Sequence, residues 1–242
     1  MIDLLQSHAS VRKYTEEVIS DEIFHELIIA AQHVASSNFV QAYSVIQITD
    51  PIKKEKLGEI SKNELQFGTA AKSLVFCADL RRLEMAANMH GETIESGTVE
   101  NFTVATIDTA LFAQNFVVAA ESKGYGICYI GGVRNNPEEI SELLNLPHHV
   151  IPLFGMTIGV PAEKNEVKPR LPIEAVLHDN SYDEEKYKGL LKAYDQKMHE
   201  YYSERNTNKK DMTWSRTMTE FLSTPRRPHM KDFVISKGFL QE

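Results

Sequence analysis

VENFTVATIDTALFAQNFVVAAESKGYGICYIGGVRNN, residues 99–136, decides the fold class. Phe102, Ala105, Thr109, Phe112, Phe116, Ala119 and Ala120 recur at helical spacing and predict a helix from Val99 to Ser122. Apolar residues cover much of its circumference, which predicts a central, buried helix that needs more cover than one small subunit easily gives. Gly124 and Gly126 end it, Ile127 to Ile130 reads as a strand, and Gly131-Gly132 turns the chain out of that strand.

On either side the pattern continues as short strands among helices. Ser20-Asp21-Glu22 starts a helix, with Ser20 as N-cap and acids in the first turn, and Ile23, Leu27, Ala30, Ala31 and Val34 carry it on. Ser44 to Thr49 alternates as a strand, Asp50-Pro51 opens a helix through Leu57 and Ile60, and Leu74 to Ala78 is a short buried strand. Asn136-Pro137 starts another helix, Ile151 to Gly159 returns as a strand, and Asp183 to Glu204 is a charged, tyrosine-rich helix. Arg205, Lys209, Lys210, Arg216, Arg226 and Arg227 then lie among polar residues, as in an exposed excursion. Helices outnumber strands without strict alternation, so the fold class is α+β rather than doubly wound α/β.

A chain of 242 residues can bury a sizeable core, and 42% apolar with 25% charged residues suits a globular protein. The net charge of −8 argues against a nucleic-acid backbone binder. The two cysteines, Cys77 and Cys128, make no disulfide framework and suit a reducing cytoplasm. No signal peptide is read at the N-terminus, and the most apolar stretch, Ile107 to Ala120, is interrupted by Asp108, Gln114 and Asn115 and reads as too short and polar to span a bilayer.

Four separated fragments carry the chemistry a phosphate or flavin ring needs. They are His8-Ala9-Ser10-Val11-Arg12, Ser36-Ser37-Asn38-Phe39-Val40-Gln41, Tyr129 to Asn136, and Lys168-Pro169-Arg170. Each offers cations, hydroxyls, or glycines that let backbone N–H groups approach a ligand. Each alone also has a bland reading: a polar arm with a capping serine, a helix C-cap and loop, a tight turn, and solvated surface charge. No metal set with zinc spacing is present, His148-His149 being adjacent and unable to share a helix face. No Gly-x-Gly-x-x-Gly, Walker A or Gly-x-Ser-x-Gly string occurs.

In order and spacing the fragments resemble the nitroreductase family, in its NADPH-dependent branch of oxygen-insensitive nitroreductases and flavin reductases. The resemblance runs from about residue 2 to the C-terminus and is weakest in the middle third. It implies a single FMN domain over 1–242 with a central, mostly antiparallel sheet flanked by helices and a C-terminal helix and excursion over 183–242. It places His8 and Ser10 near the flavin phosphate and ribityl chain, and Arg12 near the pyrimidine edge, where a guanidinium stabilises charge on the reduced ring. Ser36, Ser37, Asn38 and Gln41 would reach the flavin of a partner subunit, which makes the protein a homodimer. Tyr129, Ile130, Gly131 and Gly132 would line the ring near N5, and Lys168 and Arg170 would hold the phosphate. Where the family usually carries a Gln before the Leu74–Ala78 strand, this chain has Glu64, with Gln66 two residues on; neither is assigned.

The same resemblance implies NADPH as donor, its 2′-phosphate met by Arg205, Lys209, Lys210 and Arg227 around a Thr213-Trp214 pair. Lysines stand where the branch has arginines, and the spacing from Arg205 to Trp214 is one residue short, so Lys209 and Lys210 remain alternatives; solvated loop charge is the bland reading. The expected activity is ping-pong transfer from NADPH to a small-molecule acceptor such as a nitroaromatic, quinone or free flavin. A protein that stores, delivers or senses FMN without turnover is the alternative. Cys128, beside the glycine turn, reads as a redox thiol or as a small buried hydrophobe.

Overall fold

The structure is a computed structural model and describes residues 1–163, 165–205 and 209–241. The chain forms two compact units, one of Met1–Asn165 with Arg227–Glu242 and the other of Glu166–Arg226. The sequence reading places an excursion at 183–242; here 227–242 belongs to the first unit, and the second begins at 166.

The first unit runs α1 (Ile2–Gln6), α2 (Asp21–Gln32), β1 (Tyr43–Gln47), α3 (Pro51–Ser61), α4 (Glu64–Thr69), β2 (Lys72–Asp79), α5 (Arg81–Asn88), α6 (Val99–Ser122), β3 (Gly126–Ile130), α7 (Pro137–Leu143) and β4 (Val150–Gly159). The four strands form one sheet in the order β1-β2-β4-β3, every pair antiparallel. β2 lies inside the sheet and is buried on both faces. Leu74 and Phe76 pack with Phe24, Leu27, Phe112 and Phe116 of α2 and α6. Val75 and Cys77 pack with Leu57, Phe67 and Ile140 of α3, α4 and α7. The period-2 alternation of a strand thus serves two helical layers at once.

The expected caps are made. Ser20 Oγ accepts the Ile23 N–H at 3.2 Å, and Asp50 Oδ1 accepts Ile52 at 2.8 Å ahead of Pro51. Thr98 Oγ1 accepts Asn101 at 3.1 Å and opens α6; Asn136 caps α7. Gly124 takes φ +84 at the exit of α6, a left-handed conformation suited to glycine.

Two features of α6 refine the sequence reading. Its apolar girdle is only partly covered: Ile107 is 51% exposed and Leu111 42%, whereas Asp108 is wholly buried. The full 24-residue helix is also long and apolar enough to cross a membrane by length and composition, which its middle segment did not suggest. It packs instead against α2 and the sheet.

In the second unit, α8 (Tyr187–Glu204) and α9 (Trp214–Leu222) follow a 3-10 turn at Ile173–Ala175. α8 starts four residues later than expected, because Asp183 is held in a turn, its N–H donating to His178 Nδ1 at 3.0 Å. The expected excursion contains α9, which Thr213 caps by accepting the Arg216 N–H. Asp195 ties the two helices by accepting both the N–H and the hydroxyl of Ser215. Tyr194, Met198 and Tyr202 form the core, with Trp214 edge-on to Tyr194 at 5.7 Å. The chain then returns to the first unit as α10 (Met230–Ser236), whose Phe233 and Val234 pack with Phe239, Leu80, Ile151 and Leu153.

Candidate functional site

Two of the four fragments meet along β3. The Val11 N–H donates to the Ile127 carbonyl at 2.8 Å, and Tyr14 bridges to Pro161 beyond β4. The arm His8–Arg12 therefore runs beside the strand that ends at Tyr129-Ile130-Gly131-Gly132. Within the arm, His8 Nδ1 lies 2.5 Å from Glu121 Oε1 at the end of α6, and the Ser10 carbonyl accepts Asn165 Nδ2 at 2.9 Å. Arg12 is exposed. Burial pushes the Tyr14 phenol well up, and it bonds Thr157 Oγ1 at 2.8 Å.

At the strand end, Ile130 has its side chain in the core, so only its backbone faces outward chemistry. Tyr129 is 38% exposed, sits edge-on to Phe154 at 5.4 Å, and has its phenol raised by burial and then by the Glu121 charge. A Cβ built on Gly131 meets, among the described residues, nothing within 4 Å but the Arg134 guanidinium, at 3.3 and 3.9 Å. The Arg134 guanidinium thus lies over that face of the turn. Gly132 is required for a different reason: a Cβ there would lie 2.1 Å from the Ser61 carbonyl oxygen at the end of α3.

The fragment Ser36–Gln41 has an unusual backbone. Asn38, Phe39 and Gln41 take φ of 44, 62 and 54, left-handed values that non-glycine residues seldom adopt. Asp108 clamps both ends: Oδ1 accepts the Ser37 N–H at 3.0 Å and Oδ2 the Ala42 N–H at 3.1 Å. Arg82 holds the Gln41 carbonyl at 3.2 Å and the Tyr43 carbonyl at 3.0 Å. A cavity of about 360 Å³ opens beside it, lined by Gln41, Tyr43, Ser44, Arg82 and Phe112 among others. Among the described residues, Ser36 Oγ is buried with no hydrogen-bond partner.

Lys168 and Arg170 lie in the second unit, both exposed, with Arg170 Nη1 donating to the Lys168 carbonyl at 2.6 Å. The Tyr194 hydroxyl fixes the intervening Pro169 carbonyl at 2.9 Å. Of the expected NADPH cations, Arg205 and Lys210 sit over the Tyr202 ring, at 5.0 and 4.4 Å from its centroid, and Lys209 is exposed. Arg227 belongs to the first unit, where Nε and Nη2 donate to Asn135 Oδ1 at 3.0 and 2.9 Å. Glu64 is exposed at the start of α4 and Gln66 half-buried. Burial raises the Cys128 thiol, with Arg12 opposing, which is the behaviour of a core thiol rather than a reactive one.

Sequence reasoning gave no site role to Asp108, Arg82 or Glu121, and took Asn135 only as part of the Tyr129–Asn136 fragment. Asp108 did carry a signal, as a carboxylate in the middle of an apolar helix; the others are exposed-looking polar residues whose partners are distant in sequence. One further cluster has the order of a catalytic triad: Ser96 Oγ is 3.0 Å from His149 Nε2, and His149 Nδ1 is 3.3 Å from Glu84 Oε2. The Ser96 N–H, which an acyl-transfer site would aim at an oxyanion, is spent on the Ile94 carbonyl, and Ser96 is buried. The cluster is a brace for the loop ahead of α6.

Antiparallel sheet, clamped loop and glycine turn define a class, and comparison with known proteins agrees. The Nitroreductase family model matches residues 5–160 and the Nitroreductase family, C-terminal domain model residues 168–242, so the chain belongs to the nitroreductase family. It is 58% identical over 237 residues to a Cr(VI) reductase of Pseudomonas sp. (strain G-1), covering 98% of each chain. It is 40% identical over 242 residues to the FMN reductase (NADPH) of Bacillus subtilis (strain 168), covering 98% of this chain and 97% of that one. The solved structure of NfrA1 from B. megaterium superposes with a TM-score of 0.96 at 43% identity, covering 99% of each chain.

Proposed function

We propose that this protein is an FMN-dependent oxidoreductase of the nitroreductase and flavin reductase type, which draws hydride from NADPH and delivers electrons to a small-molecule acceptor. The observation that carries it is the glycine turn at the end of β3, with the His8–Arg12 arm hydrogen-bonded beside that strand, in a chain that matches an FMN reductase (NADPH) along 98% of its length. FMN, when bound, supplies the two-electron chemistry. The residues proposed to hold it are His8, Ser10, Arg12, Lys168 and Arg170 toward the phosphate and ribityl chain, the backbone of Tyr129 to Gly132 toward the ring, and Ser36, Ser37, Asn38 and Gln41 of a partner copy. Arg205, Lys209, Lys210 and Arg227 are the proposed NADPH cations. Nitroaromatics, quinones, free flavins and chromate are the acceptor classes, since an open site over a planar ring rejects little.

The homodimer reading is supported by Ile107 and Leu111 on α6 and by Phe39, 80% exposed, in the clamped loop. The cytoplasmic reading is supported by two free, buried thiols. We take 1–242 as one FMN domain in function, with 183–242 as its C-terminal helix and excursion.

The test is direct. Purified protein should be yellow, bleach anaerobically with NADPH, and recover its colour on adding an acceptor; bleaching without recovery by any acceptor class would leave a storage or sensing protein instead. Arg170→Ala should release flavin, and full FMN occupancy in that variant would remove Arg170 from the site. Sedimentation should give a dimer; a monomer fully active at low concentration would refute the shared site.

A further inference from the structure

Asn135 stands where the glycine turn meets a pair of cations. Its Nδ2 donates to the Ser61 carbonyl at 3.2 Å, which fixes the amide so that Oδ1 faces the other way. Oδ1 takes two donors from one guanidinium, Nε and Nη2 of Arg227. The Ser61 carbonyl also receives Asn63 Nδ2 at 2.6 Å and is the atom against which Gly132 packs. Arg227 itself sits at φ +51, a left-handed conformation that must be held by its surroundings.

The neighbouring cation is Arg134. Its guanidinium donates to the Leu153 carbonyl and lies 3.3 Å from the Cβ position of Gly131, while its backbone carbonyl is 3.0 Å from His229 Nε2. Burial and then the Arg227 charge hold its pKa below the ordinary guanidinium value. Arg134 and Arg227 are thus neighbours beside the glycine turn.

We infer that Asn135 is a positioning residue, which aims the Arg227 guanidinium at the anionic part of NADPH as the dinucleotide enters over the Gly131 turn. The inference rests on the proposed NADPH-to-FMN function. One hydrogen-bonded path runs from the end of α3 through Asn135 to Arg227, and Gly132 packs on the same carbonyl. The cation is therefore set in register with the turn rather than left to its own rotamers.

The experiment is anaerobic rapid mixing of the FMN-loaded enzyme with NADPH. Asn135→Ala should raise the apparent Kd for NADPH roughly tenfold while the limiting rate of flavin reduction stays within about twofold. Asn135→Asp, which loses the donor to the Ser61 carbonyl and sets a negative charge against Arg227, should weaken NADPH binding at least as much as Asn135→Ala. Added to Arg227→Ala, Asn135→Ala should have no further effect, because the two act as one unit. An unchanged or lowered Kd in Asn135→Ala, or effects that multiply in the double variant, would overturn the inference. So would loss of bound flavin or a lower melting temperature in Asn135→Ala, which would make the residue a brace for the turn. A parent protein whose flavin NADPH does not bleach would instead sink the underlying function, and the two failures are told apart without any variant.

Discussion

The fully buried carboxylate of Asp108 accepts the backbone N–H of Ser37 at 3.0 Å, joining the middle of α6 to the loop proposed to reach the flavin. Its second oxygen takes Ala42 on the far side of that loop. One side chain thus closes four intervening residues, three of them in left-handed conformations. Two charge-assisted bonds to backbone donors offset the cost of strain and of burying the charge. Asp108→Asn puts an NH₂ group against one of those donors. It should cost about 3 kcal/mol in urea denaturation and weaken FMN binding more than about tenfold. An unchanged midpoint would show that the loop is held elsewhere.

Gly132→Ala should be among the more damaging single-methyl additions, because the new Cβ meets backbone rather than a flexible side chain, 2.1 Å from the Ser61 oxygen. A cost of about 3 kcal/mol or more is expected, with loss of flavin. Gly189→Ala in α8 is the control: nothing lies within 4 Å of its Cβ position, and replacing a helical glycine should gain about 0.5 kcal/mol. Equal effects of the two changes in thermal denaturation would contradict the packing described.

The strands and capped helices were legible because their determinants are local: Ser20, Asp50-Pro51 and Asn136-Pro137 each write a helix start into adjacent residues. The glycine turn and the four fragments were legible as chemistry. The devices that hold them were not, since Asp108 to Ser37, Arg82 to Gln41 and Arg227 to Asn135 join residues far apart in the chain. The uncovered side of α6 accords with the expectation that this helix needs more cover than one subunit gives. Periodicity reports that Ile107 and Leu111 are apolar, but whether this copy covers them depends on what packs there.

Alkaline stability tests the core thiol. Burial, then the Asp79 charge, drives the Cys77 pKa far above the ordinary thiol range. The folded chain keeps this proton at pH values where the unfolded chain releases it, so stability is intact below the unfolded thiol value and falls as pH rises through and above it. Between pH 8 and 10 this thiol alone should remove about 1.4 kcal/mol of unfolding free energy. Cys77→Ala should make the decline shallower even though it lowers the starting stability. A slope unchanged in that variant would show that Cys77 ionises in the folded state.

Donor selectivity tests the second unit. Arg205 and Lys210 both lie over Tyr202, and the Lys210 N–H donates to the Tyr202 carbonyl at 3.2 Å, so Lys210 ties the loop to α8 as well as carrying charge. Lys209 is exposed. The extra phosphate of NADPH needs cations that a nicotinamide dinucleotide without it does not. Arg205→Ala should therefore lower kcat/KM for NADPH at least about tenfold and leave that for NADH within about twofold. Lys210→Ala should lower both the NADPH preference and the melting temperature, whereas Lys209→Ala should touch the preference alone. Cation–π contacts of this kind contribute about 0.5–1 kcal/mol, which sets the size of the stability loss expected for Lys210. A parent that uses both donors with equal efficiency, or an Arg205→Ala variant with its preference intact, would refute the assignment of these cations to the phosphate.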